Sequence, residues 1–230
     1  MIKCSICDAE NDDFATVCFS CKSYIQSKVD NLNLFETVWK LIESPREGFR
    51  RIVLSHHKNY VFLLSCLLGT ALAYTVFWYK DVGPVFSNLL TLVGSGILLG
   101  PPLGIMFVLV ASVVLRWTAR LFGGKAGLKN TYALVAYACV PIVISLVFVF
   151  PVEIAIFGQD FFGKNPPPLV INPVIYIVLI AFDVMAVAWS WFLLVEGTIV
   201  ANGFTRGKTV LVSLSVLLLT VAVALLLYFV

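Results

Sequence analysis

Residues 84–122, PVFSNLLTLVGSGILLGPPLGIMFVLVASVVLRWTARLF, decide how this chain crosses a membrane. The stretch is apolar almost throughout. It is too long for one ordinary span of about 20 residues and barely long enough for two. Gly100-Pro101-Pro102 falls in its middle. Proline inside a helix removes a hydrogen bond and clashes with the preceding turn. The pattern therefore predicts two pieces, a short re-entrant or interfacial helix over 84–99 and a span over 102–122. Gly94-Ser95-Gly96 is a lone glycine-rich stretch that reads as helix packing or a bend.

Long apolar runs lie on either side of it. They predict spans over 59–79, 128–150, 171–200 and 208–229. The far end of the first carries Tyr74, Phe77, Trp78 and Tyr79, read as an interfacial aromatic belt. Pro141 predicts a kink in the third, and Pro166-Pro167-Pro168 forbids helix in the loop before the fourth. Across the chain 60% of residues are hydrophobic and 13% charged, against about 25% charged in soluble domains. The fold class is an all-α polytopic membrane protein, with five transmembrane helices, one re-entrant or interfacial helix and a small N-terminal cysteine module. No cleavable signal peptide is expected, because the N-terminus is acidic and cysteine-rich; the first span is expected to act as a signal-anchor.

The charges orient this body. With five spans and the head in the cytosol, fourteen of the sixteen Lys and Arg face the cytosol, and only Lys80 and Lys164 face out. The positive-inside rule thus predicts a cytosolic N-terminus and an external C-terminus. Before the first span, Phe35, Val38, Trp39 and Ile42 recur at helical spacing, and Ser44-Pro45-Arg46-Glu47 stops that helix and starts a second. The second sets Phe49, Ile52 and Val53 against Arg46, Arg50 and Arg51, a pattern suited to the headgroup zone or to packing on the chain's own spans.

The head itself holds Cys4-x2-Cys7 and Cys18-x2-Cys21. Two such knuckles close a tetrahedral thiolate shell, the short zinc-ribbon pattern. Zinc leads; iron, two disulfides or no metal are the alternatives, and a reducing cytosolic face disfavours disulfides. A full shell leaves no position for a reacting water, so the metal is structural, and so small a core needs it to fold. The usual prokaryotic zinc-ribbon carries glycine after each knuckle; here Asp8 and Lys22 stand there. Phe14, Phe19 and Tyr24 are the candidate contacts for a cytosolic protein partner. Cys66 and Cys139 read as core residues.

Three further stretches carry a resemblance: FETVWKLIESPREGFRRI (35–52), LFGGKAGLKNTYALVAYACVPIVISL (121–146) and WSWFLLVEGTIVANGFTRGKTVLV (189–212). Their GGK loop, Tyr-Ala-x-x-Pro and Gly-x-x-x-Gly-Lys loop, in that order, resemble the Yip domain family of Ypt/Rab-interacting membrane proteins, over residues 34–230. The fused zinc-ribbon resembles the prokaryotic branch, for which no Rab-binding role is implied. The organisation is then a zinc-ribbon over 1–26, a linker over 27–33, cytosolic amphipathic helices over 34–58 and a Yip-like membrane domain over 59–230.

Charges inside spans are costly and are usually paired or functional. Asp183, Glu196, Arg116 and Arg120 are the candidate intramembrane polar site, with Glu196 expected to pair with Arg116 or Arg120. His56 and His57 mark the mouth of the first span. No catalytic grouping is present, which argues against an enzyme. The expected function is a non-enzymatic, membrane-organising scaffold that self-associates, contacts lipid and a cytosolic protein, and binds no nucleic acid. The alternative is an ion- or proton-coupled transporter or channel using Asp183. The expected location is a prokaryotic cytoplasmic membrane.

Overall fold

A computed structural model describes residues 2–4, 6–12, 15–22, 25 and 31–229, with side chains as far as residue 222. Strands β1 (Ile2–Lys3) and β2 (Glu10–Asn11) pair antiparallel, Ile2 opposite Asn11. The other described elements are helices.

Helix α1 (Leu34–Glu43) starts at Asn33, whose side chain accepts from the Glu36 N–H, and α2 (Pro45–Leu54) starts on Pro45. Proline suits that first position because its missing N–H has no helical partner there anyway. The two helices turn opposite faces to the bundle. Phe49 and Ile52 of α2 are fully buried, so α2 packs on the spans. Phe35, Trp39 and Ile42 of α1 are 85%, 66% and 49% exposed. Arg51 of α2 hydrogen-bonds Glu36 of α1 and holds its carboxyl below the usual range.

Helix α3 (Val61–Tyr79) leads into α4 (Leu89–Leu121), and here the structure corrects the sequence reading. The predicted break at Gly100-Pro101-Pro102 is absent. Leu89–Leu121 is one helix of 33 residues with both prolines inside it, about 50 Å long at 1.5 Å per residue. There is no separate re-entrant helix over 84–99. The reason lies in the neighbour. A Cβ added to Gly69 of α3 would stand 1.9 Å from the Gly100 carbonyl, one on Gly104 1.9 Å from the Ser65 carbonyl, and one on Gly96 2.1 Å from the Tyr74 ring. The two backbones touch at Gly100 and Gly104, and the Tyr74 ring closes over Gly96, a small-xxx-small seam that runs past the prolines on both sides. Packing across the seam supports the helix where two of its own hydrogen bonds are missing.

The third apolar run is segmented as α5 (Leu128–Ala138), α6 (Val140–Phe148) and α7 (Phe150–Phe157), followed by a 3-10 turn over Gly158–Phe162. The breaks at Cys139 and Val149 each lie two residues before a proline, Pro141 and Pro151, so the predicted kink is present and a second one joins it. Helix therefore continues past residue 150, where the sequence reading placed a loop. Pro168 also opens a short helix, α8 (Pro168–Ile171), at the first position, which proline tolerates. Helices α9 (Pro173–Asn202) and α10 (Arg206–Phe229) complete the chain. Among the described residues, four runs are long and apolar enough to cross a membrane: Val61–Tyr79, Leu89–Leu121, Leu128–Phe162 and Pro173–Asn202.

The bundle has two distinct ends. At the head end, Lys129 donates to the His56 carbonyl, Tyr137 to the Asn59 carbonyl, and the Ala126 N–H to Asn202. At the far end, Lys164 pairs with Asp81 at 2.7 Å, and Gln159 donates to the Gly83 and Phe86 carbonyls. Each end has its own core. Phe49, Leu68, Leu134 and Leu193 fill the first. The second is aromatic, with Tyr74 stacked on Phe150 at 4.2 Å and Phe161 edge-on to Phe162 at 5.1 Å. Tyr74 is therefore an inward residue and not part of an interfacial belt; Trp78 and Tyr79 are exposed.

Gly104→Val forces a side chain into the Ser65 carbonyl and should cost about 3 kcal/mol or more, the upper end of overpacking effects. Gly94→Ala enters open space and should be nearly neutral. Thermal unfolding of the two variants in detergent, followed by fluorescence, checks the contrast. Equal midpoints would show that the seam does not hold the helices together.

Candidate functional site

Three groups of polar residues stand out, and they lie at different heights in the molecule. The first is in the head. The Sγ atoms of Cys4, Cys7, Cys18 and Cys21 all lie within 4.8 Å of one another. Cys4–Cys21 and Cys7–Cys18 are each 3.6 Å apart. A tetrahedron with 2.3 Å metal–sulfur bonds has edges of about 3.8 Å, so this spacing fits a metal and is far too long for a disulfide. Each knuckle closes the same way, Asp8 N–H to the Cys4 carbonyl at 3.0 Å and Lys22 N–H to the Cys18 carbonyl at 3.1 Å. Asp8 and Lys22 have φ of 53° and 59°. The left-handed conformation that glycine normally supplies is kept here by residues with side chains, at a steric cost.

Asn11 is a member of this site that spacing alone did not reveal. It is 4% exposed. Its amide donates to the Ala9 carbonyl at 2.7 Å and toward the Cys18 Sγ at 3.6 Å, and its oxygen accepts from the Phe19 N–H at 2.9 Å. One side chain thus ties the hairpin to the second knuckle and offers a donor to a ligand sulfur. Phe19 is 67% exposed. Phe14 and Tyr24 lie outside the described residues.

The second group is at the head end of the spans. Glu196 is 5% exposed. Its partners are Arg46 of α2 at 2.6 Å and Arg206 of α10 at 3.7 Å, not Arg116 or Arg120. Gly197 beside it lies against the Phe49 ring, where a Cβ would stand at 2.9 Å, so α2 is clamped to α9 by an ion pair and a close packing contact together. Arg120 is exposed, and Arg116 Nε is buried without a hydrogen-bond partner among the described residues. Close by, the Lys58 ammonium donates to the carbonyls of Ile52, Val53 and Ser55, closing the end of α2; burial, with Lys129 nearby, pushes it down to about 8.

The third group is in the other half of the bundle. Asp183 of α9 accepts a hydrogen bond from Ser145 of α6. Glu153 of α7 stands in the same cavity lining as Asp183. It is 3% exposed, and its Oε1 has no partner among the described residues. Both acids line a cavity of about 500 Å³ between α3, α6, α7, α9 and α10. The four predicted polar residues are therefore not one site. Glu196 and Asp183 stand thirteen residues apart on α9, and the acid that shares Asp183's cavity is Glu153. The available signal was an acid within FPVEIAIF, apolar enough to continue the third helical run.

Asn11→Ala should weaken metal binding by about 10- to 100-fold, the usual effect of losing a residue that orients a ligand. Lys22→Gly should act the other way, by relieving its positive φ. Competition with a chromogenic chelator measures both; equal affinities across the three proteins would remove Asn11 from the site.

The sequence model of the Yip1 domain matches residues 39–228. No curated protein matches the chain, and no solved structure does.

Proposed function

The chain belongs to the Yip1 domain family, and we propose that it is a non-enzymatic, membrane-organising scaffold whose cytosolic head is held by a structural zinc ion and meets a protein partner. The observation that carries this reading is the closed sulfur shell. Four thiolates within 4.8 Å of each other fill a tetrahedral site and leave no position for substrate or water. A closed shell staples; it does not react. Its soft, all-sulfur donor set suits zinc.

Orientation follows from charge. Arg46, Lys58, Lys125, Lys129 and Arg206 gather at the head end, whereas Lys80 and Lys164 lie at the other. This supports a cytosolic head under the positive-inside rule. With α4 as one crossing and α10, 24 apolar-rich residues long, as the fifth, the C-terminus lies outside. The fused cysteine head supports the prokaryotic branch and its cytoplasmic membrane. The outward face of α1, Phe35, Trp39 and Ile42, suits the headgroup zone beside the bundle. On the head, Ile6 and Phe19, 73% and 67% exposed, are the apolar groups offered to a partner; Phe14 and Tyr24 complete the proposed contact set. Self-association through the exposed apolar faces of the spans is part of the same reading.

A second reading is favoured by one observation. Asp183 faces a cavity and not a packed seam, as an ion- or proton-coupled transporter would require.

Cys4→Ser should remove about one equivalent of zinc from the purified protein and leave the helical circular dichroism unchanged. Metal content is read by mass spectrometry; a variant that keeps its full complement would overturn the zinc assignment. For the second reading, Asp183→Asn in proteoliposomes should abolish any proton- or cation-driven flux, and unchanged flux would eliminate it.

A further inference from the structure

The acid-lined cavity sets two carboxyl groups, Glu153 and Asp183, among apolar and aromatic side chains. A charge taken out of water is costly by several kcal/mol unless something compensates it. Ser145 supplies one hydrogen bond, to Asp183. Glu153, 97% buried, presents an oxygen with no partner among the described residues. A second unmet polar atom, the buried indole N–H of Trp191, belongs to the same lining. No Lys, Arg or His lines the cavity among the described residues. At the head end the chain balances Glu196 with two arginines. Here, among the described residues, it supplies none.

The walls say which cation fits. Calcium takes six to eight oxygens and magnesium an octahedral set. This cavity offers two carboxyls and the hydroxyls of Ser145 and Thr75, which already donate to Asp183 and to the Ala71 carbonyl, then apolar and aromatic surface. Tyr74, stacked on Phe150, makes one wall, and Trp78 and Trp191 add indole faces. Aromatic faces attract an organic cation and leave its alkyl part in apolar contact. A volume of about 500 Å³ suits a small molecule. Val184 and Val187 line the cavity and are also 63% and 57% exposed on the outer surface of α9, so it can be reached from the side.

We infer that this cavity binds an alkylammonium group, held by Glu153 and Asp183 and faced by Tyr74, Trp78 and Trp191. The group can come from an amine-bearing lipid headgroup or from a free amine; the recognition chemistry is shared. The inference deepens the transport reading, naming what its cavity holds, and is independent of the metal head.

The test uses the purified full chain in nanodiscs of phosphatidylglycerol, with tryptophan fluorescence as the readout and butylammonium as the probe. Saturable quenching by butylammonium, and none by 1-butanol at the same concentrations, is expected; this comparison needs no variant. Glu153→Gln and Asp183→Asn should each weaken binding by about tenfold or more, while Glu196→Gln, thirteen residues further along α9, should not. Repeating the titration in discs containing phosphatidylethanolamine identifies the source: weaker apparent butylammonium binding means the headgroup competes for the site, and unchanged binding means a free amine. Equal responses to butylammonium and butanol, or saturation indifferent to both carboxamide changes, would overturn the inference. Ammonium binding without flux leaves the site standing and removes the transport reading. Asp183-dependent flux without ammonium binding removes the site alone.

Discussion

The backbone contact between α3 and α4 is the constraint on which the rest depends. In lipid there is no hydrophobic force to drive helices together, so close packing and hydrogen bonds must do it. Gly69 against Gly100, and Gly104 against the Ser65 carbonyl, bring the two helices to a distance that no side chain could share. Three consequences follow. The long helix α4 stays whole through two prolines. Tyr74, one further turn along α3, is pressed over Gly96 and fixed by a 2.9 Å hydrogen bond to the Val93 carbonyl. That fixed ring then forms, with Phe150, one wall of the acid-lined cavity. A packing rule written in glycines thus reaches a polar site in another part of the bundle.

Much of the architecture was legible in the sequence because it rests on local signals. The boundary at Ser44-Pro45, the apolar runs and the four cysteines are each set by residues near one another in the chain. The misreadings came from signals that work across the fold. Pro101-Pro102 breaks a helix in isolation, and only the facing helix shows why it does not here. The predicted third span ends at residue 150, yet Pro151 sits in the first turn of α7, where proline is allowed, and the helix runs on. Ending the span at 150 put Glu153 in a loop and away from the cavity it shares with Asp183. Glu196 had several arginines to choose from, and the choice of Arg46, 150 residues away, depends on α2 folding back onto α9. The left-handed Asp8 and Lys22 show the reverse case, in which a missing glycine does not mean a missing turn.

Helix α9 joins the two kinds of chemistry. Asp183 and Glu196 are thirteen residues apart on it, about 20 Å along the axis. One end touches α2, through Arg46 and Phe49, and so the segment that leads to the cysteine head. Its middle turns, from Ile180 to Trp191, form one side of the cavity.

The two buried acidic sites also show two answers to one electrostatic problem. A carboxylate in a bundle must be neutralised, hydrated or paired. Glu196 lies near the head end, where arginines can reach it while keeping contact with water; Arg46 is 56% exposed. That pair is complete within the chain, and its role is to hold α2 in place. The Glu153–Asp183 pair lies among aromatic side chains, with no basic residue in its lining among the described residues. A purely structural acid pair would gain nothing from a cavity beside it, since each added polar void weakens packing. The chain leaves both the void and the two carboxyls, and together they suit the proposed guest, cationic at one end and apolar at the other.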